Sequence, residues 1–134
     1  MSIFEQSSLA ERAFYQAFED KNLDAMMAVW LEQGNLCCIH PGGERLQTWS
    51  EIRASWAAIF ANDIDMRIET LETKFHLSEG VAIHYVKEQI HIAGVRRGLV
   101  VATNVYSKQE GSWKMIAHHA SPSPSRPQDI KELH

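Results

Sequence analysis

The stretch Leu99–Ala120, LVVATNVYSKQEGSWKMIAHHA, holds two apolar runs joined by the short polar break Gln109–Gly111. Both runs carry β-branched or aromatic residues, and a Gly-containing break of this size makes a hairpin turn. In the first run Leu99, Val101 and Val105 fall on one parity, and Val100, Ala102 and Tyr106 on the other. In the second, Met115 and Ala117 oppose Ile116 and Ala120. Side chains alternate across a strand, so a sheet wet on one side shows one polar parity. These strands show none and are expected to be covered on both faces.

Two further alternating runs lie upstream, Met66–Leu77 and Val81–Ile92, bounded by "SEG" and "AGVRRG". The four runs form an antiparallel meander. Only the first has a polar parity, Thr70, Glu72, Lys74 and His76, which is expected to meet water.

The N-terminal half has helical spacing instead. Ser8 and Glu11 are placed as a capping box for an amphipathic helix bearing Leu9, Ala10, Ala13, Phe14, Ala17 and Phe18. Asn22 caps a shorter helix, Leu23–Glu32, with Trp30 on its inner side. A strand over Asn35–His40 and a turn at Pro41–Gly43 follow, and "ERL" adds a brief return strand. Thr48 and Glu51 form a second capping box, opening a third helix that carries Trp49, Ile52, Trp56, Ile59 and Phe60.

Three helices of this length cover one face of such a sheet. The other face needs a partner, and a second copy of the chain is the simplest, giving a homodimer packed through its sheets with Met115, Ala117 and His119 in the interface. The domain is expected over residues 1–122, with a Pro/Ser-rich tail over 123–134.

Composition bounds the function. The chain of 134 residues is large enough for one core without a metal or disulfide staple. A formal charge of -4 gives no electrostatic reason to expect nucleic acid or an anionic membrane as partner. The N-terminal segment lacks the basic start and apolar run of a signal peptide, so a cytoplasmic protein is expected. Cys37 and Cys38 are adjacent, where a disulfide would be strained, and read as small buried hydrophobes.

The "CIHPGG" strand and turn, the Trp-rich helix "SEIRASWAAIFAN", then "ATNVY" and "WKMIAHHASP", in this order behind two helices, together resemble the polyketide-cyclase (SnoaL-like) branch of the nuclear transport factor 2-like superfamily. The resemblance spans about Leu9 to Pro122. It implies an α+β fold, a cone in which three N-terminal helices pack against a strongly curved, mostly antiparallel sheet, with a pocket at the wide end and dimeric assembly. Two positions depart from the pattern: Thr48 stands where Gly is usual, and Ala117 where a third histidine is frequent. The superfamily mixes isomerases, dehydratases and cyclases with transport and scaffolding proteins, so the fold alone selects no reaction.

Candidate site residues follow from the strand faces. His118 and His119 point to opposite sides of the last strand and cannot share one ligand without a bulge. His118 is assigned to the pocket, as a general acid or base or as a hydrogen-bonded wall residue, and His119 to the interface. His40, before Pro41, either enters the pocket or ties its turn to the third helix. His84 and Glu88 share a face with Val86 and Ile90, where desolvation would raise the Glu88 carboxyl. Asn104, an amide in an apolar strand, needs a partner within the fold or on a ligand. Tyr15, Trp30, Trp56 and Phe60 are core or pocket wall. No histidine pair has helical metal-ligand spacing, and neither a metal nor a cofactor is expected.

The expected function is a homodimer binding a small apolar or amphipathic organic molecule, with acid–base isomerisation, dehydration or cyclisation as its chemistry. The alternative is a non-catalytic dimerisation or association module.

Overall fold

A computed structural model describes residues 2–124. It contains three helices, α1 (Ile3–Asp20), α2 (Leu23–Val29) and α3 (Trp49–Phe60), and five strands, β1 (Cys37–Ile39), β2 (Met66–Ser78), β3 (Val81–Ile92), β4 (Val95–Gln109) and β5 (Ser112–Pro122). One sheet has the order β1-β5-β4-β3-β2, with β1 parallel to β5 and every other pair antiparallel. The expected meander is present, and the short N-terminal strand extends it. The expected return strand is a single bridge between Cys38 and Leu46. From residue 125 onward the expected tail lies outside the described residues.

The second capping box forms as its spacing implies. Thr48 Oγ1 accepts from the Glu51 amide at 3.1 Å, and Glu51 Oε1 accepts from the Thr48 amide at 3.1 Å, a cap worth about 1 kcal/mol. The first box does not form. α1 begins at Ile3 and is capped by Ser2, whose Oγ accepts from the Glu5 amide at 3.1 Å. Ser8 and Glu11 therefore lie inside the helix, and Leu9, expected to face inward, is 46% exposed.

α2 also ends earlier than expected. Trp30 turns extended at ψ 145, bridges Met115, and drives its ring into the core. A strand-like exit costs α2 its last turn but buries the largest side chain of the segment.

Three register breaks bend the sheet around the helices. In β2, Glu72 and Thr73 together oppose a single β3 position, with Glu72 at φ 48. In β4, Arg97 is the extra residue beside Ile90 and His91. In β5, Val105 pairs with Ala117 but Tyr106 pairs with Met115, which leaves Ile116 as the extra residue. This last bulge corrects the face assigned to Met115. Strict alternation puts Met115 outside with Ala117 and His119, but the bulge turns it inward, where it is 0% exposed in the core. Ala117 and His119 keep their outward placement.

The helices cover the inner face of the sheet. On the outer face Tyr85 is 47% and Val101 38% exposed, so the second cover that the strand pattern asks for is not supplied by this chain's own helices.

Candidate functional site

One row of side chains crosses the inner face of the sheet, set by register: Phe75, His84, Asn104, His118 and Cys38. His84, Asn104 and Cys38 are 0% exposed and His118 1%. Burying such groups is costly unless each finds a partner, and α1 supplies them. The helix phase fixed by Phe14, Tyr15 and Phe18 runs back one and two turns to Glu11 and Ser7, so these polar residues also face the sheet.

Glu11 is the hub. Its Oε2 accepts from His84 Nδ1 at 2.9 Å, and its Oε1 accepts from Asn104 Nδ2 at 3.0 Å and from the Tyr106 hydroxyl at 3.2 Å. Asn104 Nδ2 also donates to the Tyr15 hydroxyl at 3.0 Å, and Tyr15 donates to Glu88 Oε2 at 2.6 Å. At the other end, His118 Nδ1 donates to Asn104 Oδ1 at 2.6 Å. Asn104 thus answers its partner question within the fold, with three hydrogen bonds tying β4 to α1 and β5.

Protonation follows from burial. Desolvation raises Glu88 to about 7, with the Glu11 charge adding to the rise and the Tyr15 hydrogen bond opposing it. Desolvation, then the nearby Glu88 charge, pushes the Tyr15 hydroxyl well above its ordinary value, so it stays protonated. His118 is pushed down to about 3, chiefly by burial and then by His40 and His119. That removes the basis on which His118 was expected to exchange a proton near neutrality: it is a neutral hydrogen-bonding group. Glu88 is the residue whose carboxyl titrates in that range.

His84 Nε2 lies 2.9 Å from Ser7 Oγ, so Ser7, His84 and Glu11 have the connectivity of a serine triad. Ser7 is 0% exposed inside α1, and its Oγ donates to the Phe4 carbonyl oxygen at 3.2 Å. A helix-interior serine has no backbone N–H pair beside it to stabilise an oxyanion. The line clamps α1 to β3.

His40 takes the structural alternative. Ser55 on α3 donates to the Ile52 carbonyl oxygen at 2.7 Å and accepts from His40 Nε2 at 2.9 Å, tying the His-Pro turn to the third helix. Burial lowers its pKa. Trp30 and Trp56 are likewise core, 2% and 0% exposed, and Trp56 stacks edgewise on Phe14 and Phe18 beside the half-buried Phe60. They fill space that a wide apolar pocket would need.

The network meets solvent elsewhere. A groove of about 290 Å³ runs between α1 and β2, lined by Ser8, Glu11, Arg12, Tyr15, Gln16, Glu19, Ile68 and Thr70. Glu11 and Tyr15 are members of both groove and network, while Glu88 sits directly behind them, paired with Thr70 in the sheet. The sequence pattern missed Glu11, Ser7 and Tyr106. A second concavity of about 500 Å³ lies on the outer face, lined among others by Lys74, Tyr85, Val101, Thr103 and His119. Among the described residues no helix is long and apolar enough to cross a membrane.

Comparison with known proteins places this geometry in a family. The family model described as "SnoaL-like domain" matches residues 10–125. A candidate dehydratase of the nuclear transport factor 2-like family from Streptomyces avermitilis superimposes with a TM-score of 0.83 at 32% identity, over 90% of this chain and 96% of that one. A candidate calcium/calmodulin-dependent protein kinase type II association domain from Thiobacillus denitrificans gives 0.76 at 34% identity, over 86% and 93%. The F-box protein SKIP8 of Arabidopsis thaliana is 29% identical over 110 residues, covering 81% of this chain. The chain spans only 46% of that relative's length.

Proposed function

The chain belongs to the SnoaL-like domain family of the nuclear transport factor 2-like superfamily, and we propose that it holds a small organic molecule in the α1–β2 groove and moves a proton on it. The observation that carries this reading is the 2.6 Å hydrogen bond from Tyr15 to Glu88 at the back of that groove. Tyr15 lines the groove and points its proton at a carboxyl group that titrates near 7. A ligand proton passes to the Tyr15 oxygen as the Tyr15 proton passes to Glu88 Oε2, and the reverse transfer returns it to another atom of the ligand. Such a shuttle suits isomerisation, dehydration or cyclisation without a cofactor. The Streptomyces relative, described as a candidate dehydratase, favours the same chemical class. Asn104 and Glu11 hold Tyr15 in place, and His118 holds Asn104.

Self-association through the outer face completes the proposal, since exposed Tyr85 and Val101 give that face the apolar character of an interface.

The second reading, a non-catalytic association module, is favoured by the likeness to the Thiobacillus association domain. Native mass spectrometry of protein purified under mild conditions separates the two. A small molecule retained by the wild type and lost from Ser8→Trp, which fills the groove, supports the first. An empty wild type, with Ser8→Trp also empty and unchanged in assembly, supports the second.

A further inference from the structure

The charges lining the α1–β2 groove are not equally committed. Glu11 accepts from His84, Asn104 and Tyr106. Glu19 accepts from the Ile68 amide at 2.7 Å and lies 3.7 Å from the Arg67 guanidinium. The Gln16 amide is held by Asp20 at 3.0 Å. Arg12 lines the same groove, is exposed, and makes no hydrogen bond or ion pair among the described residues.

A guanidinium of this kind is matched by a carboxylate, which takes two parallel N–H···O bonds. The two carboxylates in the groove are turned to partners of their own, Glu11 to the sheet and Glu19 to Ile68 and Arg67, which leaves the Arg12 guanidinium uncommitted. At about 290 Å³ the groove lies at the small end of ligand sites. Tyr15, on the next turn of α1, faces the part of a bound molecule that Arg12 does not hold.

We propose that the groove takes a small organic monocarboxylate, with Arg12 holding the carboxylate and the remainder of the molecule directed toward Tyr15. This rests on the reading of the groove as the ligand site and names the class of molecule it accepts. Arg12 sets specificity. It takes no part in the proton step.

The test is an amide NMR titration of the full chain with benzoate and 3-hydroxybutyrate at millimolar concentration, and with the corresponding amides as neutral controls at matched ionic strength. The carboxylates are expected to shift amides of residues 8–19 and 68–70, and the neutral amides to shift them far less. Arg12→Gln should weaken carboxylate binding about tenfold or more, while Arg53→Gln, an exposed cation on α3 away from the groove, should leave it unchanged. Equal shifts from acids and amides, shifts centred elsewhere, or equal losses in both arginine variants would overturn the assignment. So would the absence of carboxylate binding in a folded wild type. The titration reads binding alone: a protein that binds carboxylates through Arg12 while Glu88 titrates as an ordinary carboxylate keeps this inference and loses the proton-transfer reading.

Discussion

Two rows of side chains cross the sheet one residue apart. The inner row, His84, Asn104 and His118, and the outer row, Tyr85, Thr103 and His119, come from the same three strands and the same register. They hold similar residue types. The inner row is 0–1% exposed and joined through Glu11 and Tyr15 into one hydrogen-bonded assembly, whereas Tyr85 in the outer row is 47% exposed. Chemistry near neutral pH is therefore decided by which face a residue occupies. Burial favours the neutral form of both acid and base, raising Glu88 and lowering His118.

If that contrast is correct, near-isosteric changes in neighbouring positions have unequal costs. Asn104→Leu removes three hydrogen bonds and leaves Glu11 and His118 short of partners. It should cost about 3–5 kcal/mol in urea unfolding. Thr103→Val, one residue away on the outer face, should stay within about 0.5 kcal/mol. Comparable losses at the two positions would mean that the inner network is not holding the fold.

The pH dependence offers the next largest effect. Glu88 is raised from 4.5 to about 7, so the unfolded chain gives up this proton first. Its contribution is fully present below about pH 4.5 and is lost as pH rises through about 7, a change of about 3 kcal/mol. His118 is lowered from 6.5 to about 3, and its contribution, present above about 6.5, is lost as pH falls toward 3, by about 5 kcal/mol. Between about pH 4.5 and 6.5 the two slopes oppose each other and the wild type should change little on their account. Glu88→Gln should then gain stability with rising pH by about 1.4 kcal/mol per unit, and His118→Gln should lose as much. Parallel pH curves for all three proteins, measured by denaturant unfolding, would contradict the opposed shifts of the two groups.

A small effect on chain stability is also expected at Tyr85. Replacing it with serine should alter unfolding by less than about 1 kcal/mol, while shifting sedimentation toward the monomer if the outer face joins two copies. A wild type that sediments as a monomer at micromolar concentration would contradict the proposed interface.

The meander order of β2 to β5, the hairpin breaks and the third helix with its cap were legible because period, turn chemistry and capping agree in those segments, whereas the parallel place of β1 beside β5 was not. Met115 was not: a bulge at Ile116 reverses parity without a glycine or proline to mark it. Glu11 was hidden for a different reason. Three residues after Ser8 it satisfies the pattern of a capping box, but Ser2 begins the helix earlier and frees Glu11 to reach the sheet. The phase carried by Phe14, Tyr15 and Phe18 would have placed it inward, had a carboxylate been admitted to a core position. Glu88 and Asn104 could be singled out as polar residues on apolar faces, but their connection through Tyr15 depends on how α1 lies across β3 and β4, which no local pattern encodes.

The state of Glu88 is the most direct test of the proton-transfer reading. A carboxyl-carbon NMR titration of the wild type, assigned with Glu88→Gln, should show a midpoint near 7. In Tyr15→Phe, which loses the hydrogen bond that lowers the value, the midpoint should move higher still. A Glu88 midpoint near the ordinary 4.5, unchanged in Tyr15→Phe, would contradict it.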